Sequence, residues 1–162
     1  DSTISGNVAG DVAGGFRTLG NVTIVGSTIS GNTSTAWHGG GIFATDGTVT
    51  IQNTAIIDNA APAGTAGGLM VATFGAPVTV TLQDSTVTGN ASYGCQVEGD
   101  PAVAVLTSLG GNVFTDNSCN PIDSDEILSS AGTVGLQASG LESVDRNGAT
   151  GSSQLFLPVV TR

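Results

Sequence analysis

Ser27-Thr28-Ile29-Ser30-Gly31-Asn32 decides the reading of this chain, because near copies of it return along the whole length. Ser2-Thr3-Ile4-Ser5-Gly6-Asn7 precedes it, and Thr54-Ala55-Ile56-Ile57-Asp58-Asn59 and Ser85-Thr86-Val87-Thr88-Gly89-Asn90 follow. Asn112-Val113-Phe114-Thr115-Asp116-Asn117 is the last clear copy. The closing asparagines stand 25, 27, 31 and 27 residues apart. Self-similarity at such a period marks stacked repeats, each resting on its neighbours, and not a globule around one centre.

Two further pieces belong to each pass. Gly14-Gly15-Phe16, Gly39-Gly40-Gly41-Ile42-Phe43 and Gly67-Gly68-Leu69-Met70 form one series. Val22-Thr23-Ile24, Val49-Thr50-Ile51, Val80-Thr81-Leu82 and the weaker Thr107-Ser108-Leu109 form the other. Apolar–polar alternation of this kind describes strands with one buried face. Ile24 to Ile29, Ile51 to Ile56, Leu82 to Val87 and Leu109 to Phe114 are all five residues apart. An odd step flips the face within one straight strand, so a turn must separate the two pieces. Three short strands and three turns per pass make a coil. The expected fold is therefore all-β, a parallel β-helix of five to six coils over residues 1–144. Ile4, Ile29, Ile56, Val87 and Phe114 should fill one inward column, with columns headed by Val22 and Ile24 beside it. Asn7, Asn32, Asn59, Asn90 and Asn117 should fall at one corner as an amide ladder, since Asn tolerates a left-handed backbone and can bond its counterparts above and below. Gly6, Gly31 and Gly89 suit the same corner. A leucine-rich repeat also ladders Asn, but it requires a Leu scaffold and commonly a helical return, and neither is present.

Composition agrees. Hydrophobic residues make up 39% of the 162, enough to fold despite the charge. There are 25 Gly, no lysine, and only Arg17, Arg146 and Arg162 as cations against 13 acidic residues. Such a mixture favours strands and tight turns over helices. The net charge of −10 argues against nucleic acid and anionic membrane surfaces as partners. No apolar run reaches the length of a bilayer span and no signal peptide is visible, so membrane insertion is not expected.

Paired Gly before an aliphatic residue, with a later Ile/Phe-x-x-Asn, resembles the repeats of polymorphic outer-membrane proteins. The matching residues are Gly40-Gly41-Ile42, Gly67-Gly68-Leu69, Ile29-x-x-Asn32 and Phe114-x-x-Asn117. The wider pattern, including Leu109-Gly110-Gly111-Asn112-Val113-Phe114-Thr115-Asp116-Asn117-Ser118-Cys119, is similar to the bacterial choice-of-anchor Q β-helix proteins over about residues 2–125. The resemblance implies a right-handed β-helix, export, and an extracellular or cell-surface location. It implies a structural or adhesive module, although the same fold also hosts polysaccharide enzymes. After Asp125 the chain departs from the family pattern. Cys95 and Cys119 are the only cysteines, 24 residues apart, about one coil. In an exported protein a disulfide between them is favoured over two free buried thiols.

No catalytic constellation stands out. Lyase chemistry on this fold needs a base beside a carboxylate-bound calcium, and hydrolysis needs carboxylates facing one groove. Asp58 and Asp116 share a repeat position two coils apart, while Asp46, Asp84 and Asp100 fall in turns. The chain is thus expected to be no enzyme, its charges serving solubility. No cofactor is expected. Calcium is the one candidate ion, on the acidic group Asp116, Asp123, Asp125 and Glu126, although no loop motif accompanies it. Trp37-His38 offers a stacking surface for a sugar, which keeps carbohydrate binding or degradation as the alternative function. Asn21, Asn32 and Asn90 begin formal glycosylation motifs, two of them on the expected ladder.

Residues 145–162 read as a Gly/Ser-rich linker and an apolar tail, Leu155, Phe156, Leu157, Val159 and Val160, interrupted by Pro158. An uncovered first coil would present unpaired backbone and an apolar cross-section. The expected partner is a second copy, stacking head to tail into a filament with this tail over the first coil. The simpler alternative is a tail that caps its own end.

Overall fold

The computed structural model describes residues 1–128. The chain winds through three parallel sheets in the same order on every pass. Thr3–Ser5, Thr28–Ser30, Ala55–Ile57, Thr86–Thr88, Val113–Phe114 and Glu126–Ile127 build the first sheet. Phe16–Thr18, Ile42–Ala44, Ala66–Ala72 and Tyr93–Glu98 build the second. Val22–Val25, Gly47–Gln52, Val78–Gln83 and Ala104–Ser108 build the third. A short pair, Val8–Ala9 and Thr33–Ser34, sits after the Asn corner of the first two passes. The result is a β-solenoid of about four turns, fewer than the five to six expected. The fifth pass has its first-sheet strand, but a 3-10 turn at Asn117–Cys119 stands where a second-sheet strand would form.

The apolar columns follow the register. Ile4, Ile29, Ile56, Val87 and Phe114 pair in sequence, and Ile127 follows them. Ile29, Ile56, Val87 and Phe114 are buried. Phe16, Ile42, Leu69 and Cys95 line up inside the second sheet. Val22, Val49, Val80 and Leu106 do so inside the third. Burying one such side chain contributes about 1.5–3 kcal/mol, so the shared interior supplies the main driving force. The neighbouring column runs Ile24, Ile51, Leu82 and then Ser108, not Leu109. Leu109 is exposed, and the fourth pass holds one more residue before the next strand. Gly110 (φ +97°) and Gly111 (φ +70°) take up that residue in backbone shapes that favour glycine.

At the Asn corner each side-chain amide binds the coil beyond it. Asn7 Nδ2 donates to Asn32 Oδ1 (2.9 Å), Asn32 Nδ2 to Asn59 Oδ1 (3.0 Å), and Asn59 Nδ2 to Asn90 Oδ1 (3.1 Å). The same acceptors also take the backbone N–H of Asn7, Asn32 and Asn59. Asn32, Asn59 and Asn90 donate back to the carbonyls of Ile4, Ile29 and Ile56, each at 2.9 Å. The oxygens of Asn32 and Asn90 are thereby occupied within the stack. Asn117 does not continue this series. It is exposed and opens the 3-10 turn, because Asp116 beside it turns its carboxylate to backbone groups instead.

The glycine pairs are explained by these amides. A Cβ on Gly41 would stand 3.0 Å from Asn59 Nδ2 and 2.7 Å from the carbonyl oxygen of Gly68. On Gly68 it would stand 2.9 Å from Asn90 Nδ2 and press on the Gly94 carbonyl. Only hydrogen fits between the amide column and the next coil's backbone. Gly68→Ala is expected to cost about 1–3 kcal/mol through this overpacking. Gly10→Ala, where nothing lies within 4 Å, is expected to change stability by less than about 1 kcal/mol. Thermal unfolding of the two variants checks this; equal melting temperatures would contradict the account.

Candidate functional site

A second polar column runs beside the first, and its residues are the opening letters of the repeated hexapeptide. The backbone N–H of Ser2 donates to Ser27 Oγ (3.2 Å), that of Ser27 to Thr54 Oγ1 (3.3 Å), and that of Thr54 to Ser85 Oγ (3.2 Å). Ser85 N–H then donates to Asn112 Oδ1, and Asn112 N–H to Asp125 Oδ1, both at 2.9 Å. Each hydroxyl donates in turn to the carbonyl two residues before it: Val25, Gln52 and Gln83. Sequence reading missed this column, although the invariably polar first position of each hexapeptide was its signal.

Asp125 closes the column. Its carboxylate also accepts from Asn112 Nδ2 (3.1 Å), Ser108 Oγ (2.6 Å) and the Ile122 N–H (2.8 Å). Burial raises the pKa of this group, but the bonds from Ser108, Ile122 and Asn112 together outweigh it and hold the pKa below its ordinary value. The other members of the acidic group are engaged elsewhere or face solvent. Asp116 Oδ2 accepts from Gly94 N–H (3.0 Å) and its Oδ1 from Ser118 N–H (2.8 Å), capping the 3-10 turn. Asp123 and Glu126 are exposed. Among the described residues no three His, Cys, Asp or Glu side chains come close enough to hold a metal ion, so the four calcium candidates are not brought together.

Cys95 and Cys119 form a disulfide, with Cα atoms 4.9 Å apart and both residues buried. The Ser118 hydroxyl accepts from Cys95 N–H at 2.8 Å. Asp116, Ser118 and Cys119 thus replace the missing second-sheet strand of the fifth pass by holding Gly94 and Cys95 directly.

On the outward side of the second sheet Phe43 and Met70 are buried with Ala13, Ala66 and Ala72 in a second apolar cluster, and the exposed residues able to contact a ligand stand at its margin. Arg17, Phe43, Met70 and Gln96 share one register row. The Arg17 guanidinium lies over the Phe43 ring, 5.5 Å from its centre, and the exposed Phe74 meets Phe43 edge-on at 6.0 Å. Gln96 Nε2 donates to Glu98 Oε1 (2.9 Å), and Glu98 Oε2 faces His38 Nε2 at 3.7 Å. His38 Nδ1 is buried without a hydrogen-bond partner among the described residues. Trp37 is 59% exposed, its ring centre 6.0 Å from that of His38. The sequence-predicted pair Trp37-His38 is therefore joined by Glu98 and Gln96, while Arg17 and Phe74 flank Phe43 on the same sheet; all four lie too far away in sequence for any local motif to link them. Such a surface can stack a flat apolar ring face and bond its polar rim. The tail residues Leu155, Phe156, Leu157, Val159 and Val160, and the 145–162 division, lie outside the described residues.

Two outcomes follow. The cross-link closes a loop of 24 residues, a constraint of about 3 kcal/mol. Cys95→Ser with Cys119→Ser should lower the melting temperature and expose the 118–128 region first, seen as early local hydrogen exchange. Uniform exchange behaviour in both proteins would contradict a local role. Because the Asp125 pKa is lower folded than unfolded, its contribution is complete above about pH 4 and is lost as pH falls through the folded value. Asp125→Asn should be less stable at neutral pH and show a shallower acid limb in unfolding measured between pH 6 and 2.

Residues 1–117 match the family model described as right handed beta helix region. Neither a curated protein nor a solved structure shows a match. The parallel pairing, the inward columns and this match over most of the chain agree, and the chain belongs to the right-handed β-helix family.

Proposed function

We propose that this chain is a non-catalytic structural module of an exported, surface-borne or extracellular protein, of the choice-of-anchor Q or polymorphic outer-membrane type. One observation carries the reading. The polar side chains at the first and last positions of the repeated hexapeptide take part in hydrogen bonds along the stack, from one coil to the next, and not toward a shared cleft. Side chains so committed extend and stiffen a rod. The disulfide is in keeping with an oxidising location. Head-to-tail association with a second copy fits the same reading. A coil in matching register, from a second copy or from preceding chain, would cover the half-buried Ile4, Phe16, Val22 and Ile24.

Carbohydrate binding is the second reading, favoured by the exposed Trp37 beside His38 and Glu98, with Arg17 and Phe74 about Phe43 on the same sheet. One set of measurements separates the two. Intact protein and protein lacking residues 153–162 are sized in solution, then incubated with acidic and neutral polysaccharides. Larger assemblies that need the tail, with no new reducing or unsaturated ends, are the expected result. Turnover of any polysaccharide would end the structural reading. Binding without turnover that is lost in Trp37→Ala would move the function to the second-sheet face.

A further inference from the structure

The outward side chains of the third sheet have no part in any of these interactions. Thr23, Thr50, Thr81 and Thr107 occupy one row across four coils, in a register without a bulge. Two residues upstream, Thr48, Thr79 and Val105 form a parallel row that Asn21 begins. Two residues downstream stand Val25, Gln52 and Gln83. Threonine suits an outward strand position on general grounds, so its presence alone decides nothing. Two further facts do. First, the hydroxyls of Thr23, Thr48, Thr50, Thr79, Thr81 and Thr107 bond no protein group among the described residues. By contrast those of Ser27, Thr54 and Ser85 all do. Second, these rows carry no charged side chain, in a chain whose net charge is −10.

The two threonine rows form a regular grid of uncharged hydroxyl and methyl groups, bordered by Asn21 and by Gln52 and Gln83, whose side chains bond each other. Coils repeat at about 4.8 Å, and residues two apart on one strand at about 6.7 Å. Tetrahedrally bonded water has its own repeats. With an oxygen–oxygen distance of about 2.75 Å, second neighbours in a layer lie about 4.5 Å apart and the hexagonal axis repeats at about 7.3 Å. The two grids agree within about a tenth in both directions. Threonine is stiff at χ1, so its hydroxyls hold their places before any partner arrives. Its methyl group excludes loosely held water, while its hydroxyl both donates and accepts. A charged group would instead orient a hydration shell of its own.

We propose that this threonine face binds the surface of ice, with the Thr hydroxyls standing at water-oxygen positions of the lattice. The probe is ice itself: growth of single crystals in a solution of the intact protein, followed as crystal shape and as the gap between melting and freezing points. Intact protein is expected to facet the crystals and open that gap. Thr50→Lys with Thr81→Lys should abolish both effects while far-ultraviolet circular dichroism and melting temperature stay near those of the parent. Thr86→Lys, on the outward side of the first sheet, should retain them. Crystals that grow as in buffer alone with the intact protein would overturn the proposal, as would equal loss in Thr86→Lys. Adsorption to crystalline cellulose that depends on Thr50 and Thr81, without any effect on ice, would also overturn it and assign the face to an ordered polysaccharide.

Discussion

A primary amide that is buried must satisfy both its donors and its acceptor, and at the Asn corner of this protein it does so against the neighbouring coils. Asn59 illustrates the constraint: its Nδ2 donates to Asn90 Oδ1 on one side and the Ile29 carbonyl on the other, while its Oδ1 accepts from the backbone N–H and the Nδ2 of Asn32. Leaving any of these groups unpaired in an interior would cost about 1–3 kcal/mol. The corner geometry, the coil spacing and the register all have to accommodate that requirement. The glycine pairs follow from it, since Gly41 and Gly68 lie where a methyl group would strike the amides of Asn59 and Asn90. Two sequence features that look independent, Gly-Gly and the closing Asn, are thus one steric arrangement.

The interior and the polar columns have complementary roles. Packed Ile, Val and Leu hold coils together without strongly fixing which residue faces which, because aliphatic contacts are non-directional. The side-chain bonds supply direction. Ser85 can receive the Thr54 N–H only when the two coils are in register, and Asn112 in turn must face Ser85. Where the pattern changes, a different directional group takes over. Ser108 replaces an aliphatic residue in its column because Asn112 and Asp125 need its hydroxyl.

The strands and their inward residues were legible because period-two alternation and the constant five-residue step are both local, and both repeat. The fourth pass was misread for the same reason. Leu109 looked like the next aliphatic residue of its column, but the chain lengthens by one there and Ser108 takes the place. Asn117 likewise matched the repeat by letter, yet Asp116 and Ser118 reach Gly94 and Cys95 first and draw the backbone into a 3-10 turn. The second-sheet face was not legible at all beyond Trp37 and His38. Arg17 and Glu98 belong to different coils, and only the stacking places them on one surface.

The two polar columns also determine how this architecture can change in length. Up to Asn112, the Asn-to-Asn bonds and the backbone N–H bonds to Ser, Thr and Asn side chains join a residue to its counterpart one coil later, at separations of 25, 27 or 31 residues. Removing or duplicating one whole coil restores a donor to every acceptor, because each coil offers its neighbours the same two faces. Removing half a coil leaves amides and hydroxyls opposite the wrong partners on both sides of the join. Genetic change in such a protein is therefore quantised: tolerated steps are whole turns, while insertions of other sizes are confined to places such as residues 60–65 and 73–77, where no column passes.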